Sequence, residues 1–268
     1  IVSNKKYEGI KNRVLFIKSI NTRKILAEVS SKVYEKKPKN LIAVTGTNGK
    51  SSIANFYFQI LRLKKKNVAS IGTLGIHKIS KKIELQNTTL DPIQLGKCLI
   101  KLKKEKIDNV ILEASSHGLK QKRLDGLKFK IGIFTNLSHD HLDYHKSFKD
   151  YLDSKLYLFK KLLIKNSSIV TDLDIPEYKK IKSIARKRKI KLNTISNKYG
   201  DLSIISHKYF GEKQSLKIKY KKNIYTFQVS LIGKIQLKNL LMSMIAANMS
   251  NIDFKSIISV IKKIKPLS

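Results

Sequence analysis

The chain reads as an α/β protein: a P-loop-type, mostly parallel sheet flanked by helices, with a small antiparallel β extension. Three observations give this reading. From Pro38 onward, β-type apolar runs alternate with helical patterns. One such run, 41–45, feeds a glycine-rich turn that ends in Gly49-Lys50-Ser51, and a helical pattern follows it. Further on, 202–231 changes to alternation of the kind Ser215-Leu216-Lys217-Ile218-Lys219-Tyr220, with a Lys-Lys-Asn turn before 224–229.

Taken in order, residues 1–38 hold a short apolar run, 14–17, and a helical pattern over 25–33, and Pro38 punctuates before the first core strand. Strands are expected over 41–45, 68–73, 110–114, 131–136 and 169–172. Helices are expected over 50–63, 92–105, 148–163 and 177–188, with two more, 236–249 and 254–264, after the antiparallel segment. In a parallel sheet ligands bind beyond the carboxyl ends of the strands. The motifs below fall at such ends.

The formal net charge is +37, from 56 Lys and Arg against 19 Asp and Glu. A nucleic-acid binder is one explanation. Arginine, however, occurs only at positions 13, 23, 62, 123, 186 and 188, so the other 50 basic residues are lysines, scattered along the chain without a stripe. With Ile and Asn abundant and Trp absent, a compositional bias of the coding sequence accounts for the charge better. Anionic substrates are still attracted. The lone Cys98 excludes an internal disulfide or a cysteine-based zinc site and is expected in the core of an amphipathic helix. No apolar run reaches the roughly 18 residues of a membrane span, and no signal peptide opens the chain, so a cytoplasmic protein without membrane insertion is expected. Both ends look cut, because the chain opens on Ile1 and stops soon after a helix.

The segment Leu41–Ser52, LIAVTGTNGKSS, has the makings of a phosphate cradle. Glycines let backbone N–H groups turn toward an anion, and a helix N-terminus adds its dipole. Lys50 can reach the β- and γ-phosphates, and the Ser51 hydroxyl can ligate Mg²⁺. Val44 stands where the usual spacing has glycine, so the loop is a shortened variant running from Gly46 through Thr47, Asn48, Gly49 and Lys50 to Ser51.

Glu113 ends a buried strand beside that loop, where a nucleotide enzyme holds its metal. The next strand end, 135–145, carries three of the six histidines, His139, His141 and His145. No zinc spacing fits them. One imidazole can complete a second metal site opposite Glu113, and His139 and His145 are read as members of a polar loop. Lys155 shares the apolar side of its helix with Leu152 and Phe159. A buried lysine must pair, lose its proton or be modified; a snorkelling lysine is the ordinary alternative. Asn87-Thr88-Thr89 and Gln121-Lys122-Arg123 are polar connections that suit an anionic substrate or act as caps.

Together TGTNGKS, NTT, EASSHGL followed by Q-x-R, TNLSHDHLDYH and the downstream lysine resemble the Mur ligases, and within them the MurE type. The resemblance covers about 38–268. It implies a central ATP-binding domain over 38–268, with 1–37 the remnant of an N-terminal UDP-binding domain and linker, and with the C-terminal domain absent. It implies an ATP-dependent ligase that adds a third amino acid, diaminopimelate or lysine, to a UDP-N-acetylmuramoyl-dipeptide through an acyl phosphate. By this resemblance Gly46, Thr47, Asn48, Gly49, Lys50, Ser51 and Ser52 bind ATP, and Asn239 lies near the adenine. Ser51, Glu113, His141 and a carbamylated Lys155 serve Mg²⁺. Asn87, Thr88, Thr89, Ser115, Gln121 and Arg123 hold the substrate. Ile235 and Gln236 depart from the Phe and Asn of the family's segment near the base.

A monomer without nucleic acid is expected. A domain of this extent alone is expected to bind MgATP weakly and not to ligate. Two other classes stand beside this reading. One is another amide ligase of the same fold, such as a folylpolyglutamate or cyanophycin synthetase. The other is a non-catalytic basic P-loop protein that binds nucleic acid.

Overall fold

A computed structural model of the chain describes residues 2–3, 8–85, 87–138, 140, 143–211 and 213–267. His139 and His141 lie outside the described residues. The first strands, β1 (Val2–Ser3), β2 (Gly9–Lys11) and β3 (Val14–Lys18), form a small sheet of order β1-β3-β2. Helix α1 (Thr22–Val33) follows, with the Asn21 side chain accepting from the Lys24 N–H at its start. It is tied to the rest of the protein by Ser30 Oγ on Pro92 O (2.8 Å) and Ser31 Oγ on Gly126 O (2.7 Å).

The central part runs β4 (Asn40–Thr45), α2 (Lys50–Leu63), β5 (Val68–Gly72), β6 (Gly75–Lys78), β7 (Lys82–Ile83), α3 (Pro92–Lys104), β8 (Asn109–Glu113), α4 (Ser116–Lys120) and β9 (Phe129–Phe134). It continues through α5 (Phe148–Tyr157), a π-helical turn (Leu158–Leu162), β10 (Leu163–Asp172), α6 (Tyr178–Arg188) and β11 (Lys191–Ser196). The last part is β12 (Leu202–Phe210), β13 (Lys213–Tyr220), β14 (Asn223–Val229), α7 (Gly233–Met249) and α8 (Phe254–Ile261).

The described residues form an 11-stranded sheet of order β14-β13-β12-β11-β10-β9-β4-β8-β5-β6-β7. The run from β12 to β5 is parallel throughout. Antiparallel strands finish both edges. The expected meander over 202–231 is therefore present, joined to the parallel sheet through β11 and β12. The β6–β7 edge is its unexpected counterpart.

Strand β4 alternates its side chains between the two faces. Ile42 and Val44 enter the core under α2, α7 and α8, and Leu41 and Ala43 enter the core under α3 and α5. All four are at most 3% exposed, which is why this strand reads as a continuous apolar run. Because β8 and β9 join β4 on opposite sides, the ends of these three strands open onto one crevice. Helix α2 buries Ile53, Phe56, Tyr57, Ile60 and Leu61, and the buried Tyr57 hydroxyl meets Ser250 Oγ at 2.8 Å. This packing fixes where the N-terminus of α2 points.

Three expectations need correction. The helix expected over 148–163 stays α-helical only to Tyr157, turns π-helical to Leu162, and Leu163 begins β10. Phe148, which shares the spacing of the apolar side with Leu152, Lys155 and Phe159, is the first residue of α5 and is 37% exposed. His145 belongs to no polar loop surface. It is 2% exposed, among the rings of Tyr144, Tyr151 and His117.

Candidate active site

The phosphate loop begins where β4 ends. Gly46 and Gly49 have φ of +146° and +86°, and Gly49 is the N-cap of α2. Both glycines are also required by crowding. A Cβ on Gly46 would stand 1.8 Å from Thr135 Oγ1, and one on Gly49 would stand 2.7 Å from Asn239 Oδ1. Asn239, 2% exposed on α7, therefore backs the loop directly.

Lys50 folds over the loop and donates to Gly46 O (2.9 Å) and Thr47 O (2.6 Å). Burial lowers its pKa, opposed by the charges of Glu113 and Asp140. Thr47 has its hydroxyl occupied by the Ser138 N–H (3.0 Å) and the Tyr151 hydroxyl (3.1 Å). Its side chain thus braces the loop.

Glu113 stands at the end of β8 and is 3% exposed. Ser51 Oγ donates to it at 3.0 Å, as do Thr73 N–H (3.1 Å) and Thr73 Oγ1 (3.2 Å). Burial raises its pKa, and these donors and Lys50 pull it back down. A buried hard oxygen donor beside a serine hydroxyl suits Mg²⁺, which takes few protein ligands and keeps its waters. Among the described residues no group of three or more His, Cys, Asp and Glu has metal-binding geometry.

Gly72, at the end of β5, adjoins this carboxylate so closely that a Cβ would stand 2.1 Å from Glu113 Oε1. Gly72→Ala is therefore expected to push Glu113 off Ser51. Its measurable result is a loss of the Mg²⁺ dependence of nucleotide binding, titrated at fixed nucleotide. An unchanged Mg²⁺ dependence would show that Glu113 has no part in it.

Lys155 is 1% exposed on α5. Its Nζ donates to Gly46 O at 2.7 Å and lies 4.2 Å from the Tyr151 ring centroid. Burial, and then the charge of Lys50, bring its pKa down to about 6, with Asp140 acting the other way. One loop carbonyl thus receives both lysines. The snorkelling alternative fails, because the ammonium end is itself inside.

On the other side of Glu113 a second network forms. Thr89, 4% exposed, donates to Glu113 O (2.9 Å), meets Ser115 Oγ (3.0 Å) and accepts the Ser115 N–H (3.0 Å). Arg123 donates to Thr89 O (2.7 Å) and to Gln121 Oε1 (3.0 Å), and Gln121 donates to the Tyr144 hydroxyl (3.1 Å). Thr88 meets Thr73 Oγ1 at 3.1 Å. Asn87, exposed, lines a cleft of about 540 Å³ together with Arg123. Ser115 also caps α4, accepting from the Gly118 N–H, so the sequence expectation of a cap and that of a ligand group meet in one residue. Cys98 lines the same cleft, half-buried, and burial pushes its thiol up to about 11.

A third space of about 340 Å³ opens beside Asn48 and Asn239, with Leu137, Ile175, Ile235 and Met242 as apolar walls. Asp172 and Lys238, 2.5 Å apart, stand at its edge. A flat apolar base beside the phosphate loop fits such a slot.

The structure thus gathers Gly46, Gly49, Lys50, Ser51, Glu113, Lys155 and Asn239 around one loop, and links Thr88, Thr89, Ser115, Gln121 and Arg123 in hydrogen bonds beside Glu113, with Arg123 and Asn87 lining the cleft. Thr73, Thr135, Asn136 and Tyr151 were given no role from the sequence. Tyr151 had a signal, since it precedes Lys155 by four residues and so shares its helix face. Thr135 and Asn136 open the strand-end motif over 135–145, but their part, like that of Thr73, depends on the approach of separate strand ends, which has no local signature.

A strand, a glycine turn, a helix N-terminal lysine and a buried carboxylate on the adjoining strand define a phosphate-binding α/β domain. The chain belongs to the Mur ligase family: its residues 44–247 match the Mur ligase middle domain. The UDP-N-acetylmuramoyl-L-alanyl-D-glutamate–2,6-diaminopimelate ligase of Rickettsia montanensis is 35% identical over 271 residues, 99% of this chain and 56% of that protein. The ligase of the same name from Rhizobium meliloti (strain 1021) is 35% identical over 92% of this chain and 51% of its own length. The chain spans about half the length of the curated relatives it matches. A solved structure of a ligase of that name superposes with a TM-score of 0.88 at 27% identity, over 100% of this chain and 55% of that one. The fold alone extends further. MurF from Thermotoga maritima in complex with ADP gives 0.70 at 15% identity, covering 99% of this chain and 57% of that one. No helix among the described residues is long and apolar enough to cross a membrane.

Proposed function

We propose that this chain carries the ATP-using centre of an amide-bond ligase that adds meso-diaminopimelate to UDP-N-acetylmuramoyl-L-alanyl-D-glutamate, a step of peptidoglycan synthesis. One juxtaposition supports this above all. The buried Glu113 carries the Ser51 hydroxyl on one side and, through its own carbonyl and Thr89, the Ser115–Arg123 network on the other. A nucleotide phosphate and an anionic acceptor can therefore meet at one carboxylate.

In this reading Lys50 and the amides at the start of α2 hold the β- and γ-phosphates of ATP, with the base in the apolar slot beside Asn239. Thr88, Thr89, Ser115, Gln121 and Arg123, with Asn87 at the mouth, hold the UDP-muramoyl-dipeptide and aim its carboxylate at the γ-phosphorus. An oxygen of that carboxylate bonds to phosphorus as the bond to ADP breaks. The amine of the incoming amino acid, having given up a proton, then bonds to the acyl carbon, and phosphate leaves. Lys50 offsets the charge on the transferring group, and positioning supplies most of the acceleration. Mg²⁺, when bound, would neutralise phosphate charge as a Lewis acid, held by Ser51, Glu113, His141 and a carbamate on Lys155.

The domain assignment belongs to the same proposal: 38–268 as the central domain, and 1–37 as the tail of a uridine-binding domain. So do action as a cytoplasmic monomer and the absence of a nucleic-acid partner. The test is calorimetric titration of the chain with MgATP and with the UDP-muramoyl-dipeptide. Saturable binding of both ligands is expected, and ADP release on addition of diaminopimelate or lysine is expected to stay at background in this chain alone. Absence of MgATP binding at millimolar concentration would overturn the reading.

A further inference from the structure

The phosphate loop is held from outside as well as by its own helix. Asn136 lies just past β9 and grips two successive loop residues. Its carbonyl accepts the Thr47 N–H (2.9 Å), its Oδ1 accepts the Asn48 N–H (3.0 Å), and its Nδ2 donates to Asn48 O (3.3 Å). Thr135 Oγ1 donates to the same Asn48 carbonyl at 2.6 Å. The approach is close enough that a Cβ on Gly46 would stand 3.1 Å from the Asn136 nitrogen.

We propose that Asn136 is a positioning residue for the phosphate cradle, fixing Asn48 so that Gly49 turns and the first amides of α2 face the anion. The bonds divide the loop's donors into two sets. Thr47 and Asn48 spend their N–H groups on Asn136, so they are fixed points of the cradle and not phosphate contacts. The anion is left to the amides from Gly49 to Ser52, the first of which end a helix and have no partner four residues back. Without the Asn136 side chain, Asn48 keeps only the Thr135 hydroxyl on its carbonyl, and its N–H must find water. Asn48 then gains rotational freedom one residue before the left-handed Gly49, and the amides beyond it lose their common aim. Asn136 also heads the segment that leads through Asp140 to α5, so the grip joins the loop under Lys50 to the segment whose helix carries Lys155.

The effect on phosphate rests on the nucleotide-binding reading; the grip itself does not. The experiment uses the whole chain, with Asn136→Ala and Asn136→Asp. Amide hydrogen exchange by NMR is read without nucleotide. MgATP and AMP affinities are read by calorimetry. In Asn136→Ala the Asn48 amide is expected to exchange about tenfold faster, as for loss of one neutral hydrogen bond. MgATP binding should weaken about tenfold while AMP, which lacks the β- and γ-phosphates, keeps its affinity. Asn136→Asp retains an acceptor for the Asn48 N–H, so it should keep the exchange protection while its charge weakens MgATP further. An unchanged Asn48 exchange rate in Asn136→Ala, or equal losses for AMP and MgATP, overturns the proposal. If wild type binds no MgATP while the exchange effect is present, the nucleotide reading fails and the cradle role fails with it.

Discussion

Lys50→Ala is expected to weaken MgATP binding by about 100-fold, the cost of losing charge-assisted hydrogen bonds worth roughly 1.5–3 kcal/mol each. The argument starts from where the ammonium is held. Its two carbonyl partners, Gly46 O and Thr47 O, are in the loop itself. Its charge also acts on Glu113, whose burial it partly offsets. A phosphate entering over α2 meets an ammonium already positioned, at the cost of turning it away from two neutral carbonyls. Alanine removes this cation from the cradle and leaves the helix N-terminus alone to face up to four phosphate charges. Arginine should not rescue, because its planar fork cannot fold back onto two successive carbonyls as a flexible lysine does. Calorimetry with MgATP, MgADP and AMP checks this, with thermal melting to establish that the variant is folded. The loss should be large for ATP and ADP and small for AMP. Unaltered MgATP affinity would remove Lys50 from the phosphate site, and the proposed function with it.

Much of this arrangement was legible because it is written locally. Strand β4, the glycine turn and α2 occupy one unbroken stretch, and α2 begins and ends at Lys50 and Leu63 as its periodicity indicates. The helix expected from 92 begins at Pro92, where the Asp91 side chain accepts from the N–H groups of Ile93 and Gln94. Lys155 was conspicuous because a charge on an apolar helix face contradicts its own pattern.

What was not legible is what the tertiary fold imposes. Strand β11 buries Asn193, Thr194 and Ser196, so it lacks the apolar run that announces a core strand. Its polar side chains are satisfied by partners elsewhere, Thr194 by Asp201 and Ser196 by Asp174. His145 sits in a polar stretch of sequence, yet the rings of Tyr144, Tyr151 and His117 close over it. The burial lowers its pKa, with Lys120 adding to the effect and Asp150, 3.6 Å away, opposing it. The grip of Asn136 on Asn48, 88 residues away in sequence, depends on two strand ends meeting at the crevice.

The second large effect is expected at Lys155, as a covalent modification and as a stability signature. Its Nζ is enclosed between the Tyr151 ring and the Gly46 carbonyl, with the charge of Asp140 acting on it. With its pKa near 6, the amine is mostly neutral at pH 7. A neutral amine adds to carbon dioxide: the nitrogen bonds to carbon, one proton passes to solvent, and a carbamate anion results. That anion gives the loop an oxygen donor, where a lone ammonium would repel a metal. Incubation with ¹³C-bicarbonate should give a carbamate signal by ¹³C NMR in wild type and none in Lys155→Met. The same burial has a pH dependence whose sign is fixed. In the unfolded chain Lys155 takes a proton below its ordinary pKa of about 10.4. In the folded chain it takes one only below about 6. Between these values the unfolded state binds more protons, so this lysine's contribution makes stability rise with pH across that window. Lys155→Met, which removes the buried amine and keeps the apolar stem, should melt at a higher temperature than wild type at pH 7 without bicarbonate. The gap should narrow as the pH approaches 10. Added bicarbonate should stabilise wild type and leave the methionine variant unmoved, because only the amine can bind it. A methionine variant that melts with wild type at every pH, together with no ¹³C signal in either protein, would return Lys155 to the role of a packed structural side chain.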